Sequence, residues 1–107
     1  MAQYLVVLIT VPSQEVAQQI SETLLEQKLA ASVNIIPAIN SWYIWQNEVR
    51  HAPELLLVVK TKASIFEEKF IAAVQAIHPY DVPGIIALPI VMGSKSYLDW
   101  IEAEVTG

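Results

Sequence analysis

Cysteine is absent from this chain. That one absence removes disulfides, thiolate metal ligands and cysteine nucleophiles together. Glycine occurs only three times, as Gly84, Gly93 and Gly107, and nowhere in the clustered form that cradles phosphate. The two histidines, His51 and His78, do not make a paired-histidine zinc motif, and no nucleophile elbow is present. An enzyme is therefore not expected. Basic residues are scarce: six Lys and Arg against eleven Asp and Glu give a net charge of −5. Phosphate contacts need clustered Lys and Arg, so nucleic acid is not an expected partner. Apolar runs such as Leu5–Ile9 fall far short of the ~18 residues of a membrane span. That run also lacks a basic flank and a small-residue cleavage site, so it does not read as a signal peptide, and cytoplasm is the expected compartment.

What the chain does have is apolar surface. Hydrophobic residues make up 54% of its 107 positions and charged residues only 16%, drier than an average soluble domain. The length predicts a single domain spanning residues 1–107. Surplus apolar surface on such a domain marks an oligomer interface.

Hydrophobic spacing orders the elements. Tyr4–Val11 is short, β-branched and apolar, as in a covered strand. Ser13 is placed as an N-cap, and Val16, Ala17, Ile20 and Leu24 recur at helical spacing, predicting a helix over 14–28. An extended region follows from Ala31 to Trp45. Val33, Ile35, Ile39, Tyr43 and Trp45 share one parity, and Ile36, Trp42 and Ile44 the other. Pro37 cannot donate to a ladder and implies a bulge or an edge. Gln46-Asn47-Glu48 reads as a turn, with Asn47 able to turn left-handed, and Glu54–Thr61 as the returning strand.

Ser64 and Glu67 match a capping box, and Phe66, Phe70, Ala73, Val74 and Ile77 line one helical face. Pro79 ends that helix near His78. Gly84–Val91 is a last strand, with Pro89 placing it on an edge, and the capping signal at Ser96 opens a short closing helix. This order predicts an α+β, ferredoxin-like βαββαβ sandwich with a long central hairpin and a short C-terminal helix. One sheet face is left uncovered, and because its strands are apolar it is expected to be buried against further copies of the chain.

The most informative segment is His78-Pro79-Tyr80-Asp81-Val82-Pro83. Its two prolines stiffen it, and it carries an imidazole, a phenol and a carboxylate. His78 reads either as a ligand for a cation such as copper or as a helix-terminal side chain capping a carbonyl, and a lone histidine favours the second. Tyr80 and Asp81 either orient a small ligand or serve packing and turn geometry. Trp42, Tyr43 and Trp45 form an aromatic arm, read first as an oligomer contact and second as a stacking surface. Lys60 reads as a partner for an anion or for Glu54 of another copy, or as an exposed strand end, and His51 as a solvated residue.

Several separated motifs resemble one family: Leu29–Pro37, Ser41-Trp42-Tyr43-Ile44-Trp45, Lys60-Thr61, His78–Pro83 and Tyr97-Leu98-Asp99-Trp100-Ile101. In order and spacing they are similar to the CutA divalent-cation tolerance proteins, across nearly the whole chain. The resemblance implies a ferredoxin-like fold, a tight homotrimer, kinship of form with PII signalling proteins, and a link to copper and other divalent cations. Members proposed to bind copper offer a first-strand cysteine, a histidine ending the second helix and a glutamate after the second proline. Here Ile9 and Gly84 stand at the first and last of these, Ser32 replaces a frequent cysteine, and His78 alone remains. Asn47 and Asp81 stand where glycine and glutamate are usual.

The expected site set is thus His78 as metal ligand, with Trp45, Lys60, Tyr80 and Asp81 in an intersubunit ligand cleft. Trp42, Tyr43 and Ile44 are expected at the trimer interface. Two functions remain open: a trimer binding a divalent cation or small ligand, and a metal-independent scaffold or PII-like adaptor. Sealed interfaces also predict resistance to heat.

Overall fold

The computed structural model describes residues 3–107. Strand β1 (Tyr4–Val11) buries Val7, Ile9 and Val11 and turns Val6, Leu8 and Thr10 to the other face. Ser13 caps helix α1 (Gln14–Glu26), its hydroxyl accepting from the Val16 amide at 3.2 Å. The helix ends two residues earlier than its hydrophobic spacing suggests, because Lys28 turns left-handed at φ 60. The Leu29 amide then donates to the Leu24 carbonyl and the Lys28 amide to that of Leu25, satisfying carbonyls that a continuing helix would have used.

Strand β2 (Ser32–Trp45) pairs antiparallel with β3 (Glu48–Lys62), which begins six residues before the expected start at Glu54. A two-residue turn joins them, Gln46 at φ 53 and Asn47 at φ 63, the twist that two-residue hairpins need. Between Ile36 and Ile39 the register slips: Pro37 and Ala38 face a gap that β3 fills with Leu55 alone. Ala38 takes φ 60 to accommodate the bulge. Simple parity along β2 therefore fails. Val33 and Ile35 pack into the core, whereas Ile39, Ser41, Tyr43 and Trp45 share a face with Glu54 and Leu56.

The second helical segment opens with a 3-10 turn (Ala63–Ile65), widens to a π turn (Phe66–Phe70) and settles into α2 (Ile71–Gln75). The expected capping box does not form, since no side chain caps this start. The tight first turn places Ser64 inside the helical segment rather than ahead of it, and the π turn sets the Phe66 and Phe70 rings 5.4 Å apart. Strand β4 (Ile85–Pro89) is shorter than predicted, although the Ile90 amide still reaches the Tyr4 carbonyl at 3.0 Å. Helix α3 (Lys95–Glu104) starts after Ser94, so Ser96 is already helical and does not cap it. Glu102 ties α3 to the sheet by accepting from Lys62 at 2.8 Å, Gln3 at 2.9 Å and Tyr4 at 3.2 Å.

The sheet is antiparallel in the order β2-β3-β1-β4, the ferredoxin-like arrangement, with Pro37 and Pro89 both on edge strands. The core lies between the sheet and the helices, from Val7, Ile9, Leu57 and Val59 to Ile20, Leu24, Phe70 and Val74. On the opposite face Ile36, Ile86 and Leu88 are exposed. Asn47→Gly is expected to raise stability by about 0.5 kcal/mol, and Asn47→Val to lower it by about 1 kcal/mol. Urea unfolding at matched protein concentration checks both.

Candidate functional site

The chain leaving α2 is pinned at once. The His78 amide bonds to the Val74 carbonyl at 2.9 Å, and Pro79 prevents another turn. His78 is buried, 7% exposed, and both ring nitrogens are engaged. Its Nδ1 accepts from the Tyr80 amide at 3.2 Å, so Nε2 carries the proton and donates to the Thr10 carbonyl at 2.8 Å. The His78 and Tyr80 rings lie 4.8 Å apart. Tyr80 is thereby aimed at the sheet, where its hydroxyl donates to Glu54 Oε2 at 2.6 Å.

Glu54 is the unusual group. It sits 6% exposed at the apolar centre of β3, on the face opposite the core. A buried carboxylate needs partners, and the Tyr80 phenol supplies one. Burial raises the Tyr80 pKa well above its ordinary value, and the bond to Glu54 and the Glu54 charge raise it further. The phenol therefore stays a neutral donor.

Around this pair lies a cleft of about 810 Å³, between the hairpin and the loop before β4. Thr10, Ser41, Glu54 and Arg50 line it with the Tyr43 and Trp45 rings, while Pro79, Tyr80, Asp81, Val82 and Gly84 close it from the loop. Gly84 allows close approach here, because a Cβ would stand 3.2 Å from Thr10 Oγ1. Arg50 bonds to the Trp45 carbonyl at 3.3 Å and Gln46 Oε1 at 3.4 Å, and lies 3.6 Å from Glu48.

The expected cleft residues Trp45, Tyr80 and Asp81 thus meet in one place. Lys60 does not join them. It pairs with Val6 and Ser32, at the other end of the sheet from Thr10, and bonds to Asn34. The expected interface residues divide as well. Tyr43 faces the cleft with Glu54, whereas Trp42 and Ile44 take the other face of the hairpin, Ile44 reaching the cleft only at its rim and Trp42 stacking on His51 with centroids 4.2 Å apart. His51 is therefore a stacking partner and not merely solvated. Sequence reasoning passed over Thr10, Ser41 and Arg50, and saw Glu54 only as a partner for Lys60. The available signal for Glu54 was a carboxylate opening an otherwise apolar strand.

The residues present do not fit a preformed metal centre. Both His78 nitrogens are committed, Ile9 is core, and no cluster of three His, Cys, Asp or Glu able to hold an ion occurs among the described residues.

The CutA1 divalent ion tolerance family model matches residues 5–104. The chain belongs to the CutA1 family. It is 55% identical over 102 residues to a divalent-cation tolerance protein CutA of Thermus thermophilus, covering 95% of this chain and 97% of that one. The Thermus structure superposes with a TM-score of 0.93, covering 96% and 99% of the two chains. An Archaeoglobus fulgidus CutA, described as periplasmic, superposes at 0.92 with 43% identity, covering 96% and 99%. A Danio rerio CutA homolog is 43% identical over 99 residues, and there the chain spans 92% of itself but 65% of the relative.

Tyr80→Phe is expected to lower stability by about 1 kcal/mol, since it leaves Glu54 without its donor. The contribution has a defined pH window. A phenol whose folded pKa lies above the unfolded value near 10 stabilises fully below that pH, and loses its effect as pH rises through the folded value. Wild type should therefore lose stability above about pH 10 more steeply than Tyr80→Phe, read by alkaline unfolding curves.

Proposed function

We propose that this CutA1-family chain acts as a homotrimer that holds a small ligand in the cleft between the hairpin and the Tyr80 loop. The observation that carries this reading is the apolar sheet face that runs into the cleft. Val6, Leu8, Leu56 and Val58 are half-buried there, and Ile36, Ile86 and Leu88 are exposed. A self-associating fold is the ordinary way to cover such a face. The hairpin tip carries further exposed apolar surface on its other face, with Trp42 69% and Ile44 75% exposed. Covering the face with neighbouring copies would turn the open cleft into an intersubunit pocket. The role is binding rather than catalysis, because the cleft's phenol and the His78 imidazole behind it are spent on holding the loop. Cation tolerance, in this reading, does not run through a metal bound at His78. No helix among the described residues is long and apolar enough to cross a membrane.

Light scattering should give three times the chain mass, and the melting temperature should rise with protein concentration, as mass action requires. A monomer at micromolar concentration would sink the trimer. Calorimetric titration with Cu(II) and Zn(II) should give the same isotherms for wild type and His78→Ala, both checked for folding by circular dichroism. A Cu(II) isotherm present in wild type and lost in the variant would restore His78 as a ligand.

A further inference from the structure

The cleft's charge pattern selects among ligand classes. Its two acidic groups are Glu54, buried in the floor, and Asp81, on the exposed loop. Its one basic group, Arg50, is already bonded to the Trp45 carbonyl and Gln46 and sits against Glu48. An anionic ligand would find no free cation and would meet two carboxylates. A bare divalent ion would find too few oxygen ligands, and Glu54 Oε2 is taken by Tyr80. A neutral apolar ligand would fill the space but strip water from Glu54 without replacing it. Three aromatic side chains, Tyr43, Trp45 and Tyr80, border the same volume. Ring faces attract cations, most strongly where water is displaced.

We propose that the cleft binds a small organic cation, an ammonium group seated among the Tyr43, Trp45 and Tyr80 rings with Glu54 and Asp81 as its counter-charges. This rests on the reading that the cleft holds a small ligand, and it names the class. The volume of about 810 Å³ lies within the range of small-molecule sites, larger than one ammonium group, so the ligand carries an apolar or hydroxylated body beside it. The Tyr80 bond presents Glu54 to the ligand already oriented, which limits the ordering that binding requires.

Three probes of one shape and different charge test this: choline, its neutral isostere neohexanol, and the anion tert-butylacetate. Each is titrated into the full chain while backbone amide and Trp45 indole shifts are followed by NMR. Choline should move Trp45, Asp81 and Gly84 resonances and bind about tenfold tighter than neohexanol. Glu54→Gln should remove most of that preference. Asp81→Asn, on an exposed loop where folding is not at stake, should reduce it in the same direction. If neohexanol or tert-butylacetate shifts the same resonances as tightly as choline, the cationic class is wrong and the small-ligand cleft stands. If none of the three probes moves those resonances, both the class and the cleft reading fall.

Discussion

Between Ile36 and Ile39 the second strand carries one residue more than its partner, and the placement of every aromatic side chain on the hairpin follows from that surplus. Side chains alternate strictly along a strand, so one inserted residue exchanges the two faces beyond it. Without the bulge, Ser41, Tyr43 and Trp45 would continue the core face of Val33 and Ile35 past the end of the helices. With it they join Glu54 and Leu56, and Trp42 and Ile44 take the outer face. Pro37 lacks an amide hydrogen for the ladder, so the bulge removes little pairing that the strand could have made. The left-handed Ala38 is the remaining strain, of the order of 1 kcal/mol.

The bulge aims one wall of the cleft, and the His78–Glu54 relay fixes the other. Thr10, His78, Tyr80 and Glu54 form a single line of hydrogen bonds from the edge of β1 to the middle of β3. Each link removes a freedom that the next needs. The two His78 bonds select one tautomer and one ring orientation, the Tyr80 backbone is held to that ring, and the phenol then reaches Glu54. Two prolines bound this stretch, so little conformational entropy is lost in forming it. A buried carboxylate is tolerated because the rest of the relay holds its partner in place, an arrangement more costly to break than to keep.

Much of this was legible in the residues. Val16, Ala17, Ile20 and Leu24 disclose α1, the alternation of β1 its two faces, and Pro37 an irregularity in β2. The βαββαβ order follows from those spacings, and the family resemblance from motifs spread along the chain. Other features depended on contacts that spacing does not encode. Pro37 implies a bulge or an edge, and both occur, but it does not say how many residues are inserted, so the parity of Tyr43 and Trp45 came out reversed. Serine and glutamate at Ser64 and Glu67 have the spacing of a cap. Packing of Phe66 and Phe70 instead draws the chain into a 3-10 and then a π turn, and tertiary contact outweighs local preference. Lys60 lies apart from the cleft of a single chain, because distance along a strand says nothing about which end of the sheet holds it.

The same relay gives the His-Pro-Tyr segment a task that needs no metal ion. Neither Ile9 nor Gly84 offers a donor to an ion, so the burial of His78 has its reason elsewhere. Here its nitrogens bridge Thr10 and the Tyr80 backbone, a task that needs one acceptor and one donor in fixed directions. A neutral imidazole meets the requirement with donor and acceptor on opposite sides of one rigid ring, where lysine and arginine carry no acceptor. Gly84 fits that account, since its missing side chain lets the loop close over Thr10. The segment acts as a spring-free joint that holds Tyr80 against Glu54, and the chemistry of the cleft is set by what those two present to its interior.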